Sequence, residues 1–264
     1  MSGREILQAA GFSTEYRTGV LVVTFDRPPA NALNRALTRD LAALFADLTA
    51  VREAPPVVLT GQGERFFSAG GDIKELEGVA QKELDGRMRE FHSLLVAMDR
   101  YHRPVVSAIN GHCVGGGMEI ALFADTVFAV QGARFGFPEI NHGLLPADKG
   151  IQRAVRLLGA RATRRMLLSG DLFDAQRALE IGIVDVLAEP ADLVGAAIAS
   201  AREAGAKAPV LYGALKRSVN DPDDARDESS LQRTLSSAAA YFDDPVARGL
   251  RDTWNGNPSR RGKG

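Results

Sequence analysis

One glycine-rich stretch decides the fold of this chain: Asn110-Gly111-His112-Cys113-Val114-Gly115-Gly116-Gly117-Met118-Glu119-Ile120-Ala121. The apolar run Val105–Ile109 before it predicts a buried strand, and the residues from Glu119 to Ala124 predict a helix. The glycines between them let a ligand approach the backbone closely, and they leave the first N–H groups of the helix without internal partners. Those N–H groups lie at the positive end of the helix dipole, where a developing negative charge is stabilised.

Taken alone, this stretch fits two interpretations equally well. The glycines make a ligand site, or they make an ordinary tight turn before a solvated glutamate. The stretch is not a dinucleotide-binding fingerprint, because Ile120 occupies the position of the third glycine. It is not a phosphate-binding loop either, because no Gly-Lys-Ser/Thr follows the glycines. The motifs elsewhere in the chain must therefore decide between the two.

The composition is that of an ordinary globular protein. The chain has 264 residues, of which 45% are hydrophobic and 25% are charged, and its net charge is -1. This near-neutral charge gives no electrostatic reason to expect nucleic acid as a partner. Cys113 is the single cysteine and the four histidines are scattered, so neither a disulfide nor a metal site is expected. The sequence shows no membrane-spanning run and no signal peptide pattern, and we expect a cytoplasmic protein.

Strands alternate with helices in the first two-thirds of the chain, which predicts an α/β core of βαβ units. Thr18-Gly19 predicts a hairpin turn, and Thr38 is the expected N-cap of a helix that runs to about Val51. The strands are predicted at Phe12–Arg17, Val20–Phe25, Val57–Thr60, Thr126–Val130, Ala133–Phe135 and Ile183–Leu187. Helices dominate the rest and are predicted at Ile151–Leu158, Thr163–Leu168, Ala175–Ile181, Ala191–Ala204, Pro209–Val219, Glu228–Phe242 and Pro245–Trp254.

A second glycine turn, Gly70-Gly71, also lies before a predicted helix. Two such turns can each offer one backbone N–H, and two converging N–H groups form an oxyanion hole. Two carboxylates follow the turn at Gly115–Gly117, namely Glu119 and, 20 residues later, Glu139. A carboxylate pair that faces one water molecule can divide general-base and general-acid work. Spacing alone leaves open whether these four elements converge.

Together these motifs resemble the crotonase family, the enoyl-CoA hydratase/isomerase group. The resemblance runs from about Val20 to Val219, and its motifs occur in order at family-like spacing. The matching segments are Arg27-Pro28-Pro29-Ala30-Asn31-Ala32-Leu33, Phe67-Ser68-Ala69-Gly70-Gly71-Asp72-Ile73, Asn110-Gly111 with Gly115-Gly116-Gly117-x-Glu119, Phe135-Gly136-x-Pro138-Glu139-Ile140, Gly143-Leu144-Leu145-Pro146, Gln152-Arg153 and Ala178-x-x-Ile181-Gly182-Ile183-Val184.

The resemblance implies an α/β fold, a crotonase-like spiral of ββα units with a helical C-terminal region that trimerises. Residues 1–200 would form the spiral core with the acyl-CoA site, and residues 201–264 would form the helical region. A homotrimer or a hexamer, as a dimer of trimers, is the implied assembly.

The resemblance also implies an acyl-CoA thioester substrate whose oxygen is held by the N–H groups of Gly71 and Gly116. Glu119 and Glu139 would hold a water molecule and add it across the α,β double bond, because members with both glutamates look like hydratases. No cofactor is expected, since coenzyme A is part of the substrate. The implied substrate- and CoA-binding positions are Ala30, Ala69, Gly70, Gly71, Asp72, Ile73, Gly115, Gly116, Pro138 and Leu144.

Two alternatives remain open from the sequence. One is a Δ3,Δ2-enoyl-CoA isomerase, in which one glutamate shuttles a proton and no water is added. The other is an acyl-CoA-binding or RNA-associated scaffold that has kept the fold. The intact glutamate pair disfavours a scaffold, and the net charge of -1 disfavours RNA.

The sequence departs from the family pattern at Ala147-Asp148-Lys149-Gly150, where small residues and two glycines are usual. We expect Asp148 to be the N-cap of the following helix rather than a substrate contact, because Asp is a preferred N-cap. Ser68 is not expected to be a nucleophile, because no G-x-S-x-G elbow surrounds it.

Overall fold

The computed structural model describes residues 7–9, 11–76 and 79–256. In these ranges the strands are short, and Val57–Gly61 and Val105–Ile109 are buried at every residue. They are β1 (Leu7–Ala9), β2 (Phe12–Arg17), β3 (Val20–Phe25), β4 (Val57–Gly61), β5 (Phe66–Ser68), β6 (Val105–Ile109), β7 (His112–Val114), β8 (Thr126–Val130), β9 (Arg134–Gly136), β10 (Phe173–Asp174) and β11 (Val186–Ala188).

The helices of the described ranges run from 6 residues to 22. They are α1 (Arg35–Ala50), α2 (Gln81–Arg100), α3 (Gly116–Leu122), α4 (Asp148–Ser169), α5 (Ala175–Glu180), α6 (Leu193–Gly205), α7 (Pro209–Asn220), α8 (Asp224–Phe242) and α9 (Pro245–Gly256). Two short 3-10 helices cover Ile73–Leu76 and Glu139–His142. The two helices predicted on either side of Gly159 are the two parts of α4, which bends where Gly159 adopts a φ of 77°.

The strands form two sheets. The larger has the order β1-β2-β3-β4-β6-β8-β11, and the smaller has the order β10-β9-β7-β5. In the larger sheet the hairpins of β1, β2 and β3 are antiparallel, and every pair from β3 to β11 is parallel. The parallel strands are rich in Val, Ile and Ala and are covered on both faces, as parallel sheets require.

Successive strands alternate between the two sheets. β4, β6 and β8 lie in the larger sheet, and the strands that follow them, β5, β7 and β9, lie side by side and parallel in the smaller one. This pattern is a spiral of ββα turns, so the predicted fold class is confirmed. Because the three parallel strands of the smaller sheet end at one edge, the loops after β5, β7 and β9 must gather there.

Aromatic side chains join the layers of the core. The rings of Phe25 on β3 and Phe67 on β5 meet edge to face with centroids 5.2 Å apart, which links the two sheets. Phe45 on α1 meets Tyr101 after α2 in the same way at 5.4 Å. Each of these buried rings is worth about 1.5–3 kcal/mol in transfer from water, so the sheets and their first helices are held as one unit.

Three local predictions were wrong. Asn34, not Thr38, is the N-cap of α1, because its side chain accepts the N–H of Leu37 at 2.9 Å. The last strand is Val186–Ala188 because the N–H groups of Ile183 and Val184 turn back to the carbonyl of Ala178. The helix expected from Glu228 begins four residues earlier, where Asp223 caps the N–H of Arg226.

The predicted division at residue 200 falls inside α6, which packs Leu193, Ala197 and Ala201 into the core. The division itself stays a prediction, and its last residues, 257–264, lie outside the described part of the chain. Across the described ranges, no helix carries an apolar run long enough to reach through a bilayer.

Candidate active site

The two glycine turns predicted from the sequence touch each other. Gly70 follows β5 with a φ of +82°, a conformation that favours glycine. A Cβ atom placed on Gly70 would lie 2.9 Å from the backbone nitrogen of Gly116. The close approach of the two backbones therefore requires glycine at this position.

Each turn carries one N–H group that is free to bind a ligand. Among the described residues, no hydrogen bond uses the N–H of Gly71 or that of Gly116. Gly116 is the first residue of α3 and is buried, whereas Gly71 is exposed. The two groups have the chemistry that an oxyanion hole needs, since each is an unused backbone donor.

Glu119 lies in α3, one turn after these glycines, and is only 2% exposed. Its Oε1 accepts the backbone N–H of Ala147 at 3.1 Å. Gly150 packs against the same carboxyl group, because a Cβ atom there would lie 2.1 Å from Oε1. The beginning of α4 therefore holds this carboxylate from one side.

Glu139 enters the same place from the loop after β9. A Cβ atom on Gly115, where φ is +55°, would lie 2.8 Å from its Oε1. The residue as a whole is half-buried, yet Oε2 has no contact with solvent and no hydrogen-bond partner in the described residues. A buried carboxylate oxygen without a partner is unusual in proteins and leaves a site for a hydrogen-bond donor.

Burial changes the acidity of both carboxyl groups. It raises the pKa of Glu119 well above its ordinary value, and repulsion by Glu139 acts in the same direction, while the Ala147 N–H opposes the shift. Burial also raises the pKa of Glu139 to about 7. Two interacting carboxyl groups whose pKa values are both raised can share one proton and serve as an acid and a base.

The other predicted binding positions line the same loops. The carbonyl of Ala30 accepts the N–H of Ala69 at 2.9 Å, and the N–H of Leu144 donates to the carbonyl of Glu139 at 3.0 Å. Ile73 begins the 3-10 helix after Gly71, and Pro138 directly precedes Glu139.

Asp72 is nearly buried, and its carboxylate is already engaged. It pairs with the guanidinium of Arg27 at 2.5 Å and accepts the N–H of Lys74 at 3.1 Å. The charge of Asp72 is therefore neutralised within the chain.

Ser68 has a structural role. Its hydroxyl donates to the carbonyl of Asn31 at 2.7 Å and accepts the N–H of Gly70 at 3.1 Å. The hydroxyl thus shapes the glycine turn.

Two helices bring residues to the site that the sequence did not indicate. Arg87 on α2 donates to the carbonyl of Leu33 and would lie 3.0 Å from a Cβ atom on Gly71. Phe91, one turn later, would lie 3.2 Å from a Cβ atom on Gly116. Tyr241 on α8 lies within electrostatic reach of both Glu139 and Arg87. The charged pattern of α2 carries no signal that distinguishes Arg87 from its solvated neighbours.

The prediction for Asp148 was wrong. Ala147 is the N-cap of α4, with extended backbone angles, and Asp148 is the first helical residue. Its carboxylate turns away from the helix end because α8 offers better donors, the hydroxyl of Ser230 at 2.8 Å and the guanidinium of Arg233 at 2.7 Å.

Two cavities lie near these elements. One of about 40 Å³ is bounded by the loop after Glu139, by α2 and by α8, through Leu145, Met88 and Tyr241 among others. A second, of about 1100 Å³, opens where the strands pass from the larger sheet to the smaller one, and neither glutamate lines either cavity. Cavity size alone would point to the second cavity, but the two carboxylates and the unused N–H groups identify the glycine turns as the reactive region.

No three His, Cys, Asp or Glu side chains within the described ranges come together in a group that could hold a metal ion.

Comparison with known proteins identifies the chain's relatives. Residues 15–249 match the family model described as enoyl-CoA hydratase/isomerase. The short-chain-enoyl-CoA hydratase of Clostridium acetobutylicum is 34% identical over 204 residues, which cover 76% of this chain and 77% of the relative. The 2,3-dehydroadipyl-CoA hydratase of Escherichia coli K12 is 34% identical over 227 residues, or 84% of this chain and 85% of the relative.

A solved structure agrees with these sequence matches. The crystal structure of an enoyl-CoA hydratase/isomerase from Mycobacterium paratuberculosis superposes with a TM-score of 0.83 at 29% identity, covering 92% of this chain and 98% of that one. The chain belongs to the enoyl-CoA hydratase/isomerase family.

Proposed function

We propose that this protein is an enoyl-CoA hydratase, a hydro-lyase that adds water across the α,β double bond of an acyl-CoA thioester. One observation carries the proposal: two buried carboxyl groups, Glu119 and Glu139, meet beside two unused backbone N–H groups. The relatives named as hydratases support the same activity.

The N–H groups of Gly71 and Gly116 receive the thioester oxygen of the substrate. As a nucleophile adds to the β carbon, negative charge moves onto this oxygen and forms an enolate. Preorganised N–H donors stabilise such charge more than they stabilise the neutral thioester, so they accelerate the chemical step. The start of α3 adds the positive end of its dipole at Gly116.

The glutamate pair handles the protons. One carboxylate takes a proton from the water molecule as its oxygen bonds to the β carbon, and the other carboxyl group gives its proton to the α carbon. The pair then holds one proton, as before, and the product is a 3-hydroxyacyl-CoA. The unpartnered Oε2 of Glu139 supplies an acceptor for the water.

The reaction as proposed needs no metal and no further cofactor. Coenzyme A belongs to the substrate, and Ala30, Ala69, Asp72, Ile73, Pro138 and Leu144 are proposed as its nearest contacts. We place the protein in the cytoplasm on the basis of its lone cysteine and its composition.

A substrate test separates this proposal from the isomerase alternative. Purified protein is incubated with crotonyl-CoA, and loss of its conjugated absorbance is followed. The same protein is given a 3-enoyl-CoA, and migration of the double bond is followed. We expect hydration of crotonyl-CoA, whereas double-bond migration without hydration would favour the isomerase and contradict the proposal. A set of short, medium, branched and aromatic enoyl-CoAs then defines the acyl preference.

We further propose that the protein assembles as a homotrimer or as a dimer of trimers. The support is the exposed apolar face of α7, where Val210 is 76% exposed and Leu211, Leu215 and Val219 are exposed with it. Contiguous exposed apolar side chains of this kind mark contacts with other chains. Light scattering at micromolar concentration should give at least three times the mass of one chain, and a monomer would contradict the proposal.

A further inference from the structure

We propose that Asp148 is a positioning residue for Glu119, acting through the backbone N–H that holds the Glu119 carboxylate. This inference rests on the proposed hydratase function. It concerns the segment Ala147–Gly150, where the sequence carries a charged pair in place of small residues.

The segment contacts Glu119 directly at both ends. Ala147 donates its N–H to Oε1, and Gly150 packs against the same atom. A hydrogen bond to the charged form of a carboxyl group lowers its pKa, so the exact placement of Ala147 affects both where Glu119 points and when it ionises. Asp148 lies between these two contacts in the chain.

Asp148 fixes the segment to α8 through its backbone and its side chain. Its N–H donates to the hydroxyl of Thr234 at 3.0 Å. Its Oδ2 accepts from the hydroxyl of Ser230 at 2.8 Å and from Nε and Nη2 of Arg233 at 3.0 and 2.7 Å. These three partners lie on one face of α8, so one side chain joins the helix to the residue next to Ala147.

Lys149, the residue after Asp148, also binds α8. Its Nζ binds Asp99 on α2 at 2.9 Å and Asp227 on α8 at 2.7 Å, and Arg153 binds the other oxygen of Asp99 at 2.5 Å. Lys149 is only 9% exposed. Removing one partner of a buried ion pair is strongly destabilising, so these bonds fix the position of α8 relative to α4 and α2.

Besides Glu119, two titratable groups bear on a pH profile, Glu139 and His92. Glu139 is the titratable group that acts on Glu119, and it does so from the 3-10 helix after β9. On α2, His92 is buried near Lys149 and Asp227, and burial lowers its pKa. A change in the Glu119 titration after substitution of Asp148 therefore reports on the Ala147 hydrogen bond.

The experiment measures the pH profiles of kcat and KM in three variants. Asp148→Ala removes the side-chain part of the link, Arg233→Met removes the guanidinium partner on α8, and Arg226→Met is the matched control. Arg226 also lies on α8 and also forms an ion pair, with Asp221 at 2.6 Å, but both partners are exposed. Arg233 is about half exposed, so its variant should fold even where Asp148→Ala does not.

We expect kcat to fall by about 10-fold to 10²-fold in Asp148→Ala, because small displacements of a catalytic group cost this much. KM should change far less, and the acidic limb of the profile should move to higher pH because Glu119 loses part of its hydrogen bond. Arg233→Met should act in the same direction, and the double variant should show less than the sum of both effects. Arg226→Met should match the wild type.

A lower melting temperature with unchanged kcat and an unshifted pH limb would overturn the proposal, because Asp148 would then only hold the fold. Carboxyl titration by infrared spectroscopy keeps this test separate from the activity. The Glu119 band, assigned with Glu119→Gln, should titrate at higher pH in Asp148→Ala. If the wild type hydrates no enoyl-CoA, the proposed function fails, whereas an unshifted band overturns the positioning role alone.

Discussion

The two glutamates of the site lie beside the same glycine turn but in different surroundings. Glu119 belongs to a helix, is held by the N–H of Ala147 and has the backbone of Gly150 against it. Glu139 opens a short 3-10 helix, and its Oε2 is left without a partner among the described residues. One carboxyl group is fixed by the protein, and the other retains a hydrogen-bonding position for a ligand.

This difference indicates that the two glutamates have different roles in the proposed reaction. A carboxylate that binds the water molecule must keep an oxygen without a protein partner, as Glu139 does. The other carboxyl group must be held in place by the protein, as Glu119 is. Substitution of the glutamates tests the pair as a whole, and the other variants test the difference between the surroundings of Glu119 and Glu139.

The largest effect is expected from Glu119→Gln and Glu139→Gln. Each should lower kcat by about 10²-fold to 10⁴-fold with little change in substrate binding, because an amide cannot exchange the proton. Steady-state kinetics with crotonyl-CoA measures this. Near wild-type hydration in either variant would show that the pair is misassigned, and loss in only one would favour the isomerase.

Melting curves provide the control for these variants. Because the pKa of Glu139 is raised from 4.5 to about 7, the folded state binds its proton more tightly than the unfolded state does. Its contribution therefore makes stability fall as pH rises through this window. Glu139→Gln should melt at least as high as the wild type at pH above about 7. If Glu139→Gln is inactive but melts at least as high as the wild type, the loss of activity cannot be attributed to unfolding.

Gly150→Ala should displace the carboxyl group of Glu119 while both glutamates are kept. The new Cβ would lie 2.1 Å from Oε1 of Glu119, so the carboxyl group must move. We expect kcat to fall by about 10²-fold, as misplaced catalytic groups do. Gly195→Ala is the matched control, since Gly195 is also helical and has no atom within 4 Å of a new Cβ. Equal activity in both variants would contradict the prediction.

The pH dependence tests whether the pair shares a proton. Lowering the pH below about 7 protonates the second carboxyl group and removes the base, so kcat/KM should fall by about tenfold per pH unit there. In Glu139→Gln this acidic limb should move, because the partner charge is gone. A profile that is flat from pH 5 to about 8 would exclude a base of this kind.

The smallest effect is expected from Gly71→Ala, which keeps the N–H of the oxyanion hole. A Cβ there would meet only the guanidinium end of Arg87, at 3.0 Å, so kcat/KM should stay within about tenfold of the wild type. Gly70→Ala is the contrast, because its Cβ would lie 2.9 Å from two backbone atoms at a φ of +82°. Similar kcat/KM values for the two variants would show that the turn does not hold the thioester.

The local elements were predicted well because their signals are local. The hairpin of β2 and β3 follows from the turn signal Thr18-Gly19 between two short strand candidates, and its bounds agree with the prediction. The glycine turns were found because backbone contact demands glycine. The resemblance then brought Glu119 and Glu139 together, which spacing alone left open, and the structure places both at one turn.

The rest depends on contacts between distant parts of the chain. Asp is a preferred N-cap residue, but the carboxylate of Asp148 accepts hydrogen bonds from donors on α8, more than 80 residues later in the chain. Arg87 and Tyr241 approach the site only because α2 and α8 pack over it. No periodic pattern within a helix reveals which neighbour it will meet.

The spiral has a consequence for how such a protein changes. Three successive turns deliver the components of the site to a common edge: an N–H after β5, an N–H and a carboxylate after β7, and a second carboxylate after β9. Each component begins at the end of a strand whose neighbours are already bonded in the sheet. A replaced loop therefore alters one chemical ingredient while the others keep their places, and new reactivity becomes accessible through separate, small steps.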